Sequence, residues 1–237
     1  MATHALYLES GPQRRKTMVH VLDLLGCIAK GVTTEVALAG TPDAIRAYLR
    51  FLRRHGEAAD PTSRFAVEVV EHVTEGQWLG NGDPALVFRR DLDPLTTEDA
   101  DTALRRLEWT RADVLALVGE LPSGKLSAEP GTKGRTIRAM LEHMLESEHF
   151  YVSCLGRIEG LPSPGSILQK RDRPLLEWMA HVRAVEVARL RALTPQERTR
   201  PVVRWQQTWT ARKVLRRMLE HEWEHLVELS ERLGQSL

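Results

Sequence analysis

The spacing of apolar residues changes near the middle of the chain, from short runs separated by turn residues to long helical stripes. Before residue 90, four short runs predict strands at about residues 4–9, 16–24, 27–29 and 65–73. The last run contains Val67, Val69 and Val70 and is rich in β-branched residues, which favour strands. We therefore expect three or four strands, mostly antiparallel, in the first part of the chain.

A helix is expected between the third and fourth of these strands. Apolar residues recur at helical spacing between residues 45 and 52, so one face of this helix should pack on the sheet. The Gly-Thr-Pro sequence at residues 40–42 predicts a break in the helix. A short helical piece would precede the break, and Thr41 would be the N-cap of the main helix with Pro42 at its first position.

From about Thr96 onward, the chain shows helical periodicity only. Helices are expected at about residues 96–121, 135–160, 174–193 and 210–233, with a loop over residues 122–134. Four helices of similar length joined by loops predict an antiparallel four-helix bundle. The predicted fold class is therefore α+β with two domains, a small α/β domain over residues 1–92 and the bundle over residues 93–237.

Composition narrows the class of protein without identifying a function. Hydrophobic residues make up 42% and charged residues 27% of the 237 residues, and the net charge is +1, as in ordinary globular proteins. This balance gives no strong signal for nucleic acid, no apolar run suits a membrane span, and the N-terminus lacks a signal-peptide pattern. Cys27 and Cys154 are too few and too far apart for a zinc motif, so a reducing, cytoplasmic location is expected.

His221 and His225 are four residues apart, which puts both imidazoles on one face of the last predicted helix. This spacing alone more often marks a surface pair or a hydrogen-bonded core pair than a metal site. On a helical projection, however, His225 lies inside the apolar arc and His221 lies at its edge. Glu222 also lies on that arc and, as a buried carboxylate, needs a partner. The opposite side of the helix is expected to carry Arg212, Lys213, Arg216 and Glu224.

The second bundle helix supplies a third candidate ligand. His143 projects toward the apolar stripe, whereas His149 projects onto the polar side and is expected to be solvated. An isolated inward histidine is usually a core residue, but three on two helices are harder to explain in that way. Three neutral imidazoles with an open fourth position are typical of a catalytic zinc or similar divalent site. The other histidines are interpreted as structural or exposed: His4, His20, His55, His72 and His181.

Two stretches of the bundle resemble the DinB superfamily of metalloenzymes. Residues 136–149 contain His143, and residues 209–225 begin with Trp209-Thr210 and end with the His221 and His225 pair. The resemblance covers about residues 95–235. It implies a four-helix bundle in which one histidine of the second helix and two of the last helix bind a divalent metal ion, expected to be zinc or nickel.

The resemblance also implies a class of reaction. Some DinB members are thiol-dependent transferases or isomerases that use bacillithiol, mycothiol or glutathione, and many others have no known activity. A metal-dependent enzyme is therefore expected, in which the ion binds a thiol as thiolate or activates a water. The resemblance favours S-transfer from a low-molecular-weight thiol over hydrolysis. We further expect a homodimer and no organic cofactor, and the sequence does not identify catalytic residues.

Residues 18–38 and 41–49 resemble the HicB antitoxin-like domain, a small α/β fold of the partial RNase H type. Leu25 replaces the usual proline before Gly26-Cys27, and Val36 replaces a usual glutamate. No set of strand carboxylates suits two-metal nuclease chemistry, so nuclease activity is not predicted. Two alternatives remain open. The first part could be a generic α/β accessory domain, and the whole chain could be a non-enzymatic, toxin–antitoxin-like interaction module whose bundle is a dimerisation platform.

Overall fold

The computed structural model describes residues 1–130 and 134–235. Its N-terminal part contains a four-stranded sheet whose strands are β1 (Ala2–Ser10), β2 (Arg15–Val21), β3 (Ile28–Thr33) and β4 (Phe65–Val73). The strands lie in the order β3-β2-β1-β4. Strand β1 pairs antiparallel with β2, β2 pairs antiparallel with β3, and β1 pairs parallel with β4. The expected mixed α/β region, with mostly antiparallel strands, is confirmed.

Helix α1 (Thr34–Arg54) connects β3 to β4 and packs on β2 and β3. The helix is continuous, so the predicted break at residues 40–42 is wrong. Thr33 is the N-cap and accepts a hydrogen bond from the Val36 N–H at 3.3 Å, while Thr41 donates back to the carbonyl of Ala37 at 2.8 Å. Apolar side chains on both sides of Pro42 are buried on the same face. Their burial outweighs the cost of about 3 kcal/mol for a proline inside a helix.

Four long helices form the bundle, and they are α2 (Thr97–Gly119), α4 (Ile137–Ser153), α5 (Leu175–Arg191) and α7 (Ala211–Leu233). Helices α2 and α4 each pack against both α5 and α7. Three of the four begin at a threonine N-cap, Thr96, Thr136 or Thr210, whose hydroxyl accepts the N–H three residues further on. The predicted four-helix bundle is confirmed, although its second helix ends at Ser153, earlier than expected.

Two short helices and a two-stranded hairpin contradict the expectation of long helices only. Helix α3 (Ser123–Ser127) lies in the predicted loop 122–134, of which residues 131–133 are outside the described residues. Helix α6 (Pro195–Thr199) is followed by a hairpin of β5 (Val202–Arg204) and β6 (Gln207–Trp209). Strands of three residues are too short to show a period, and the hairpin turn lacks the usual Asn-Gly signal.

One hydrophobic cluster extends from the sheet into the bundle, and a smaller one contains Leu79, Leu86 and Phe88. The ring of Trp223 on α7 lies 4.9 Å from the ring of Tyr48 and 5.0 Å from that of Phe51, both on α1. Helix α7 is therefore covered by the bundle on one side and by the N-terminal part on another. The domain division at residue 92 stays a prediction. Among the described residues, no helix is both long and apolar enough to cross a membrane.

Candidate metal centre

His143 of α4 and His221 and His225 of α7 come together where these two helices pack side by side. The Nε2 atoms of His143 and His221 are 3.1 Å apart, and one ring nitrogen from each of the three residues lies within 4.8 Å of the others. Two nitrogens at 2.0–2.1 Å from one tetrahedral ion are separated by about 3.3 Å. The three imidazoles thus offer a donor set that a zinc-like divalent ion accepts without a large rearrangement.

Neighbouring polar groups favour one orientation for two of these rings. Glu228 Oε2 lies 3.2 Å from His225 Nδ1, and Ser147 Oγ lies 3.5 Å from His143 Nδ1. Both contacts occupy Nδ1 and leave Nε2 for the centre of the triad. A metal-binding histidine commonly donates its other ring N–H to a carboxylate or another oxygen, which fixes the tautomer.

The surroundings of the triad favour neutral imidazoles. Burial lowers the pKa of His143 to about 4, and the nearby charges of Arg135 and His225 act in the same direction. Burial also lowers the pKa of His221 well below its usual value, and it lowers the pKa of His225. Only a neutral imidazole has a free lone pair, so these rings are ready to accept a metal ion at neutral pH.

Sequence comparison decides the family of this chain. The profile of the DinB superfamily matches residues 106–229, which is more than half of the chain and includes all three histidines. The chain belongs to the DinB superfamily. The match leaves out the N-terminal sheet, so the HicB-like character of that region stays a prediction.

One solved structure similar to this DinB protein is YfiT from Bacillus subtilis, described as a probable metal-dependent hydrolase with an unusual four-helix bundle topology. The two are 22% identical, with a TM-score of 0.45, and the similarity covers 60% of this chain and 91% of YfiT. A comparison with curated proteins gives no significant match.

His149 is not solvated in this DinB protein, contrary to the prediction. It is 1% exposed, with Nδ1 at 2.9 Å from Glu186 Oε1 of α5 and Nε2 at 2.8 Å from the carbonyl of Pro162. Burial alone would lower the pKa of His149, but its hydrogen bond to Glu186 and the charge of that residue raise it. The projection of α4 by itself could not show that α5 and the segment at Pro162 cover this side.

Glu222 has the charged partners that its burial requires. Its two oxygens lie 2.6 Å from Arg111 Nε and 2.6 Å from Arg183 Nη2, and both arginines also pair with Glu148. The prediction of a partner for Glu222 is confirmed. Because its carboxylate is bound within the bundle core, it is not part of the histidine cluster.

Three basic residues expected on the side of α7 opposite its apolar arc, Arg212, Lys213 and Arg216, do not face solvent there, because all three are at least nine-tenths buried. Arg216 binds both oxygens of Asp91 at 2.8 Å and one oxygen of Glu220 at 3.0 Å. Lys213 donates to the carbonyl of Thr208, and burial lowers its pKa to about 7. The physical reason is that the segment before α2 and the hairpin cover the side of α7 that faces away from the bundle.

A pocket of about 380 Å³ opens beside the triad. One wall consists of residues from α4 and α7, and the other consists of residues 78–84, which follow β4. No sequence pattern indicates this second wall, because the two walls are more than fifty residues apart along the chain. The lining includes Trp78, Gly82, His143, Phe150, Tyr151, Arg217 and His221.

Metal-free protein should lose stability in acid because of the triad. In the unfolded chain a histidine has a pKa near 6.5, so that chain binds more protons than the folded one as the pH falls from 6.5 toward about 4. The free energy of unfolding therefore decreases over this range. We expect the decrease between pH 7 and pH 5, measured by urea unfolding with a chelator present, to be smaller in His143→Ala than in the unchanged protein.

His20 and His149 have raised pKa values and the opposite pH dependence. They are present in both proteins, so their contribution cancels in the comparison. Equal losses in the two proteins would show that His143 titrates normally.

Gly82→Ala should destabilise the pocket wall. Gly82 has a φ of +78°, and an added Cβ would lie 2.8 Å from Arg217 Nη1. A left-handed non-glycine residue costs about 1–3 kcal/mol, and the contact with Arg217 should add to that cost. Gly56→Ala is the matched control because Gly56 has a φ of +84° with no atom within 4 Å of the added Cβ. Urea unfolding should show the larger loss for Gly82→Ala, and equal losses would mean that Arg217 moves away freely.

Proposed function

We propose that this DinB protein is a metal-dependent enzyme that binds one divalent ion through His143, His221 and His225. The convergence of three ring nitrogens from two helices is the single observation that carries the proposal. Imidazole nitrogen suits zinc, and it also suits nickel. Zinc or nickel is thus the proposed ion.

The site is proposed to be open to a substrate. Among the described residues, the cluster consists of these three histidines, and Glu222 is held away from it by Arg111 and Arg183. His143 and His221 also line the pocket of about 380 Å³. Three protein ligands beside a pocket are typical of catalytic sites, whereas structural zinc sites are closed by a fourth protein ligand.

We further propose thiol S-transfer as the reaction, with a low-molecular-weight thiol as co-substrate. A divalent ion at the triad would lower the pKa of a thiol, or of water, held at its open position. The chain's own residues orient the site: Glu228 holds the His225 ring, and Ser147 lies beside the His143 ring in the pocket. His225 is buried, and His143 and His221 are partly buried.

The test loads the protein with Co²⁺ and adds glutathione, bacillithiol or mycothiol. We expect one of these thiols to produce a thiolate-to-cobalt absorption band, and the band should be absent from protein in which the three histidines are replaced by alanine. Cobalt binding without a band for any of the three thiols would reject S-transfer with them and leave the metal proposal standing.

The HicB-like character of residues 1–92 and a homodimer remain proposals. A protein-binding role is favoured by β4, which is an edge strand of the sheet with Val67, Val69 and Val70 each more than a third exposed. Light scattering on the full chain would distinguish a monomer from a dimer.

A further inference from the structure

The second wall of the pocket comes from outside the DinB match. Residues 78–84 lie between β4 and α2, whereas the match begins at residue 106. Trp78, Asn81, Gly82 and Pro84 of this segment face the same pocket as His143 and His221. The N-terminal part of the chain therefore shapes the space next to the proposed metal ion.

Buried groups hold this segment in place from two sides. The carboxylate of Glu9, which is fully buried on β1, accepts the Gly82 N–H at 2.6 Å and the Asp83 N–H at 3.1 Å. Arg217 of α7 donates to the carbonyl of Gly82 at 2.9 Å. Asp83 in turn accepts the Trp78 N–H at 3.1 Å. A loop fixed by charged partners at successive peptide groups provides a pre-formed wall.

Buried charged residues also connect residues 78–84 to α7, the helix that carries His221 and His225. His20 lies between two carboxylates, with Nε2 at 3.5 Å from Glu9 and Nδ1 at 2.8 Å from Glu220. Glu220 precedes His221 and lies 3.4 Å from Arg217. The sheet, the segment and α7 are therefore connected through buried ionisable groups, so the wall has a fixed position relative to His221.

Most of the exposed area of the pocket lining is apolar, although polar or charged residues such as Asn81, Glu146 and Arg217 also line it. Trp78 is 67% exposed and belongs to the outer wall, while Phe150 and Tyr151 belong to the inner wall. Trp205 of the hairpin stacks on Phe150 with ring centroids 5.1 Å apart, so Phe150 is held against a further aromatic ring. Small-molecule sites have volumes of about 300–1,000 Å³ and are lined mainly by such side chains.

We propose that residues 78–84 form the specificity wall of the site, and that the substrate is a small molecule with an aromatic or flat apolar group. This group lies between Trp78 and Phe150, and the reacting end of the molecule points to His143 and His221. The identity of the reacting end rests on the function proposed above. The aromatic subsite itself depends only on side chains of this chain.

Benzyl alcohol is the probe for the aromatic subsite, because it carries an aromatic ring and no thiol that would require a metal ion. Its affinity for the metal-free full chain is measured by ligand-observed NMR titration. We expect Trp78→Ala to weaken binding about tenfold, as loss of one aromatic contact and its buried area would do. Trp109→Ala is the matched control, because Trp109 stacks on His55 and does not line this pocket.

A second measurement separates this inference from the proposed function. Zinc affinity, measured by competition with a chelator, should be the same in Trp78→Ala and the unchanged protein, because Trp78 is not in the histidine cluster. Zinc-loaded protein should bind benzyl mercaptan more tightly than benzyl alcohol.

The outcomes are distinct. Equal benzyl alcohol affinity in Trp78→Ala and the unchanged protein, or no binding by the unchanged protein, overturns the specificity wall. Failure to bind zinc, with the effect of Trp78→Ala intact, overturns the proposed function and leaves the aromatic subsite.

Discussion

Replacing His143, His221 and His225 together with alanine should abolish metal binding while the protein remains folded. The core of the sheet and bundle is built from apolar side chains, which stabilise the fold without an ion. Circular dichroism should therefore show unchanged helix content, and zinc titration should show no saturable site.

The matched control replaces three other histidines, His4, His55 and His181, which lie in other parts of the fold. Their partners include Asp23, Asp113 and the ring of Trp178. This control should keep full zinc binding. If removal of the ion from the unchanged protein unfolds the bundle, the site is structural and the enzyme proposal is wrong.

Arg216→Met should cause a large loss of stability for a single substitution. Arg216 is 1% exposed and neutralises both Asp91 and Glu220. Methionine preserves much of the side-chain volume but leaves two buried carboxylates without this partner. Breaking a buried ion pair in this way costs about 3–5 kcal/mol. Urea unfolding should show this loss as a lower midpoint.

Arg90→Met is the control for Arg216→Met, because Arg90 pairs with Asp93 at the surface with half of its side chain exposed. An exposed pair contributes about 0–1 kcal/mol. Equal losses for the two substitutions would show that the charges around Arg216 are reached by water. In that case the ion pair between Arg216 and Asp91 would not hold α7 to the segment that precedes α2.

The histidine cluster can be predicted because its signal is local. His221 and His225 are one helical turn apart, and the apolar residues around them and around His143 show which face of each helix is turned inward. The family resemblance then pairs the two helices. Strand β4 is predicted with its observed bounds, since its β-branched residues are flanked by turn residues.

The surroundings of the cluster cannot be predicted in the same way. The periodicity of α7 identifies its face toward the bundle, but it does not show that the N-terminal part covers the opposite face. Periodicity therefore places Arg216 on the side away from the apolar arc but does not show that it is buried there, since its partner Asp91 lies 125 residues away in sequence. Contacts between Gly82 and Glu9 or Arg217 are equally long-range, and no spacing rule describes them.

The continuous helix α1 shows that local helix propensity is also insufficient to predict the structure. Gly40 and Pro42 are correctly identified as residues that disfavour a helix, yet the buried face that includes Ala37 and Ile45 keeps the helix intact. Packing of α1 on β2 and β3 keeps the helix continuous. The sequence of the helix by itself does not show which strands it packs on.

Metal stoichiometry tests the central claim most directly. Purified protein is stripped with a chelator, titrated with zinc, and analysed for metal content after removal of unbound ion. About one zinc per chain is expected, and the His143, His221 and His225 alanine variant should retain none. No bound zinc in the unchanged protein, or equal zinc in this variant, would contradict the assignment of the three histidines as the metal site.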